Sequence, residues 1–66
     1  MTHKFLYRGS RQEIENNIHW CRQKFGQRGH RWDFVGSYSS ITLFFHRDQD
    51  ATWYALSWPT QRLDHA

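Results

Sequence analysis

The stretch from Ser10 to Gly26 constrains this chain more than any other, because it reads as one complete helix. Ser10-Arg11-Gln12-Glu13 is a capping box: the Ser hydroxyl accepts the N–H of Glu13, and the Glu13 carboxylate reaches back to the N–H of Ser10. Glu13 and Glu15 in the first turn, and Arg22 and Lys24 in the last, complement the helix dipole. Ile14, Ile18, Cys21 and Phe25 recur at helical spacing as a single apolar stripe, and Gly26 supplies the terminating position. A helix with one stripe covers one face of one other layer.

The remaining segments alternate as strands. Residues 4–8 put Phe5 and Tyr7 on one face and Leu6 on the other. Residues 31–35 carry Trp32 and Phe34 on one face. Residues 41–47 oppose Ile41, Leu43 and Phe45 to Thr42, Phe44 and His46. Asp48-Gln49-Asp50 reads as a hairpin turn into a last strand over 52–58, which Pro59 ends. The predicted fold is α+β: a single helix on one face of a three- to four-stranded antiparallel sheet, in the order β-α-β-β-β. Residues 1–59 form one domain, and residues 60–66 a loose C-terminal tail.

Sixty-six residues leave no room for a second domain or a deep substrate cleft. Cys21 is the only cysteine, so no internal disulfide supports the fold. The opening Met-Thr-His-Lys lacks the apolar run of a signal peptide, and the longest apolar run is Leu43-Phe44-Phe45, so cytoplasmic residence without membrane insertion is expected. Twelve aromatic residues exceed what one helical stripe can cover. The uncovered sheet face is expected to hold Phe44, His46, and either Trp53 or the Tyr54/Trp58 pair.

Charge is uneven. Residues 1–32 sum to +5 and residues 33–66 to −2. Arg22, Lys24, Arg28, His30 and Arg31 fall within ten residues that contain no acid. Arginine binds phosphate through two parallel N–H groups and stacks on bases, while flat rings stack on unpaired bases. The expected binding surface is therefore Arg22, Lys24, Arg28, His30, Arg31, Phe44, His46, Trp53, Tyr54 and Trp58. Its expected partner is RNA or single-stranded DNA. An inhibitor or small regulatory protein that occludes a protein partner, in the style of small phage inhibitors, is the alternative, since Trp, Tyr and Arg dominate binding hot spots. Self-association of the aromatic face is a third reading.

Enzymatic chemistry is less well supported. His19 and Cys21 diverge by about 200° around a helix, which is poor for chelation, so no metal or cofactor is expected. Metal-independent ribonuclease action would need His30, His46 and Arg31 or Arg47 to converge as base, acid and phosphate ligand. Cys21 lies on the apolar stripe, as a core residue does. Gly26-x-x-Gly29 matches the phosphate clamp of KH domains in spacing, but joins a helix to a strand. From Ser10 to Trp58 the predicted order α-β-β-β resembles the opening of a double-stranded-RNA-binding domain. The segment Thr60-Gln61-Arg62-Leu63-Asp64 is too short and too nearly neutral for that family's second helix. Arg31-Trp32-Asp33-Phe34-Val35 lacks the glycines and ordered rings of an RRM. The chain is accordingly assigned to no family.

Overall fold

The alternation of β1 (His3–Arg8) buries His3, Phe5 and Tyr7 and leaves Lys4 and Arg8 exposed, which commits one face of the strand to the core. In the computed structural model, which describes residues 2–37 and 39–63, this strand is followed by α1 (Arg11–Phe25), β2 (Trp32–Gly36), β3 (Ser40–Phe45), α2 (Asp48–Ser57) and a short β4 (Gln61–Arg62). The strands form one antiparallel sheet in the order β2-β3-β1-β4. Element order and strand order together are those of the split βαβ, or ferredoxin-like, arrangement. The α+β class is as predicted.

Helix α1 forms as its sequence specifies. The Ser10 hydroxyl accepts the Glu13 N–H at 3.2 Å, and the Glu13 carboxylate accepts the Ser10 N–H at 2.8 Å. These bonds, the backbone one first, hold the Glu13 carboxyl below its ordinary 4.5. Gly26 ends the helix at a φ of 88°, a region that side chains other than glycine rarely adopt. Ile14, Cys21 and Phe25 are buried and Ile18 is half-buried against the core.

The last predicted strand is instead a second helix, and the order β-α-β-β-β with its single helix is corrected accordingly. Asp48, Gln49 and Asp50 are its first turn rather than a hairpin, with the two acids placed favourably for the helix dipole. Buried Ala51 and Tyr54 and half-buried Trp58 recur at helical spacing, a period masked by rings in both halves of the alternation over 52–58. Topology demands the change. β3 and β4 each pair antiparallel with β1, so they run parallel to one another and need a crossover instead of a hairpin. In the segment 60–66, read as a tail, Gln61 and Arg62 pair with Leu6 and Phe5; residues 64–66 lie outside the described residues.

The core lies between the sheet and both helices. Phe45 packs its ring 4.9 Å from Tyr54 and 5.4 Å from Phe25, and Phe5 lies 5.5 Å from Tyr54. Asn17, fully buried on α1, donates to the Tyr54 hydroxyl at 2.8 Å and so joins the two helices. Asp50, also buried, accepts two hydrogen bonds from Arg31, at 2.7 and 3.1 Å. A buried carboxylate needs such a partner, because an unpaired charge in the interior is strongly destabilising.

Candidate functional site

Both helices pack on one sheet face. The opposite face carries Lys4, Leu6 and Arg8 from β1, Ser40, Thr42 and Phe44 from β3, and Asp33 and Val35 from β2, by the strict alternation of strand side chains. The register arranges them in rows. Asp33, Phe44 and Lys4 stand across from one another, and Val35, Thr42 and Leu6 form the next row. Leu6, Thr42 and Phe44 are half-buried, while Lys4, Arg8 and Val35 are exposed. The Lys4 ammonium lies 5.9 Å from the Phe44 ring centroid, within the range of a cation–π contact. The two central strands thus present one ring, one leucine, two cations and two hydroxyls to solvent, and no acid.

The residues singled out from sequence fall into different places. Phe44 is on this open face, and His46 is exposed just beyond the end of β3. Tyr54 is fully buried and belongs to the core. Trp58 is half-buried, edge-on to Tyr7 and Trp20. Trp53 is 45% exposed on α2, with the Lys24 ammonium 5.7 Å from its ring. His30 is exposed in the loop before β2. Arg22 lines an open cleft of about 460 Å³ between α1 and Phe34, shared with Glu15, Asn16, Ile18 and His19.

The basic cluster is dispersed because two of its arginines have structural partners. Arg31 is engaged by Asp50. Arg28 donates to the Asp33 carboxylate and to the Phe34 carbonyl, each at 2.7 Å, and stacks its guanidinium 4.1 Å from the Phe34 ring centroid. Asp33 in turn accepts the Phe34 N–H at 2.7 Å. Both backbone polar groups of Phe34, on an outer strand of the sheet, are thereby satisfied by side chains, which blunts that edge against pairing with another chain. Sequence reasoning omitted Lys4, Leu6 and Arg8 from the surface, although the alternation within residues 4–8 already sets them opposite Phe5 and Tyr7.

Burial pushes the Cys21 thiol up to about 12, so it is a thiol and not a nucleophilic thiolate at neutral pH. His3 is buried between Asp48, whose carboxylate lies 2.6 Å from Nε2, and Arg62, which donates to Nδ1. This assigns the ring proton to Nε2 and ties β1, α2 and β4 together. Among the described residues no group of three or more His, Cys, Asp or Glu could hold a metal ion, and no helix is long and apolar enough to cross a membrane. Comparison of the chain with protein-family models, curated proteins and solved structures finds no match.

Proposed function

We propose that this chain is a small, non-enzymatic binding module that holds single-stranded nucleic acid, RNA or DNA, across the open face of its sheet. The observation that supports this reading is the Phe44 ring on the two central strands with the Lys4 ammonium over it, and Leu6, Thr42 and Arg8 around them. A base stacks on the ring, a contact worth about 1–3 kcal/mol. Lys4 and Arg8 neutralise phosphates on either side of it. The module acts by occupying its ligand. Its free, buried cysteine suits a reducing cytoplasm.

Fluorescence anisotropy with labelled single-stranded RNA and DNA tests the proposal. Binding is expected to weaken log-linearly with salt, with a slope of roughly −0.7 per phosphate neutralised. Phe44→Ala is expected to weaken binding about tenfold or more, given the stacking energy at stake. Absence of binding at low salt to either polymer overturns it.

A second reading, occlusion of a protein partner, is favoured by α2. Trp53, 45% exposed, and Leu56, 84% exposed, stand three residues apart on one helical face. An aromatic-anchored protein interface is far less sensitive to salt, and would be lost in Trp53→Ala while surviving Phe44→Ala.

A further inference from the structure

We infer that the base lying over Phe44 is selected by Asp33 for an exocyclic amino group, cytosine or guanine over uracil or thymine. This inference rests on the nucleic-acid reading above. Asp33 and Lys4 flank Phe44 in one cross-strand row, from β2 and β1 respectively. Side chains directly opposite one another on a sheet have Cβ atoms about 4.5–5.5 Å apart. A base stacked on the ring and reaching across β2 therefore brings one edge towards Asp33, whose Oδ1 is turned to the outer edge of that strand by the Phe34 amide and Arg28.

The two flanks are chemically opposite. Asp33 uses Oδ1 for both of its internal bonds, to the Phe34 amide and to Arg28. Its Oδ2 has no hydrogen-bond partner among the described residues, and the side chain is 44% exposed. The Phe34 amide above all holds the carboxyl below its ordinary 3.8; burial, the next-largest effect, opposes it, and Arg28 and the nearby His46 add to the lowering. It is ionised at neutral pH and can only accept. Lys4, by contrast, can only donate.

The carboxylate acceptor reads the base edge, while Lys4 stays with the backbone phosphate. Cytosine offers its 4-amino group beside a C–H, so a carboxylate oxygen approaches without meeting another acceptor. Guanine offers two adjacent donors, at N1 and the 2-amino group, with N7 on the far side. The single N–H of uracil is flanked by two carbonyl oxygens, which repel the carboxylate. A hydrogen bond to a charged group typically contributes enough to separate such ligands by about tenfold.

The test compares ten-nucleotide oligo-U with oligo-C, and with oligo-U carrying one central cytosine or guanine, on the full chain. The expected result is about tenfold tighter binding of the amino-bearing oligonucleotides. Asp33→Asn keeps an Oδ1 acceptor for the Phe34 amide and Arg28 but replaces Oδ2 with an N–H₂ donor. Its preference is expected to fall to parity or turn towards uracil, whose O4 accepts. Asp33→Ser, which removes Oδ2 outright, is expected to give parity. Equal affinity of the wild-type chain for all four oligonucleotides, or an unchanged cytosine-to-uracil ratio in both variants, overturns the inference while leaving the binding module intact. Failure of every oligonucleotide to bind overturns the reading beneath it.

Discussion

The two faces of the sheet are made by the same strands and behave as different materials. On the covered face Phe5, Tyr7, Trp32, Ile41, Leu43 and Phe45 are each no more than 4% exposed. On the open face, Phe44 is the only ring among the described residues, set among Lys4, Leu6, Arg8 and Thr42. The contrast shows where an aromatic-rich composition goes in a domain this small. Without a disulfide, and without enough chain for a deep aliphatic core, large rings supply the burial that stabilises the fold. The second helix exists to cover them. What remains for a partner is a small, mixed surface, so its chemistry is set by a few residues in register.

Phe44 and Phe45, adjacent in sequence and opposite in face, give the sharpest way to break this comparison. Phe45→Ala is expected to cost about 3–5 kcal/mol, the range for removing a buried ring, and Phe44→Ala roughly 1 kcal/mol or less. Urea denaturation of the two variants measures the difference, and equal losses would erase the distinction between the faces.

The covered face should also be sensitive to alkali. Cys21 has its folded value raised from 9.0 to about 12 by burial, and Tyr54 is raised from 10.0 chiefly by the same cause. Groups that are harder to ionise when folded contribute stability that is complete below their unfolded values and is lost as pH rises towards their folded ones. For Cys21 that window runs from 9.0 to about 12, and the loss at pH 11 is roughly 3 kcal/mol. Thermal melts from pH 8 to 11 should show it, with a shallower decline in Cys21→Ala.

Arg31 and Arg28 separate structural cations from ligand-binding ones. Arg31→Ala strands the Asp50 carboxylate in the interior and is expected to cost about 2 kcal/mol, lowered from the fully buried case because the arginine is itself part-exposed. Any loss of nucleic-acid affinity should then track unfolding, which a melt alongside each titration would reveal. Arg28→Ala has a smaller expected effect on stability than Arg31→Ala, about 1 kcal/mol, but it uncovers the Phe34 carbonyl at the edge of β2. Sedimentation should show concentration-dependent self-association in this variant and not in the wild type.

Helix α1 and the first three strands were legible because their signals are local: a capping box, a stripe at helical spacing, and two-residue alternation in 4–8 and 41–47. Helix α2 was not, since alternation over 52–58 places rings on both sides, and the helical spacing of Ala51, Tyr54 and Trp58 has meaning only once the sheet they cover is known. For the site, Phe44 was legible from its position opposite Leu43 and Phe45. Lys4 and Arg8 were written in the same alternation but outweighed by the denser run from Arg22 to Arg31. That run lost its unity for a non-local reason, because Asp50 lies nineteen residues from Arg31.

By itself, then, the amino-acid sequence determined one capped helix, the inward and outward faces of the strands, and more rings than a single helix can cover. Tertiary structure alone decided which segment covers them and which cations remain on the surface. Hydrophobic periodicity and capping act between residues a few positions apart, whereas crossover topology and the pairing of Arg31 with Asp50 depend on the whole chain having closed around its core.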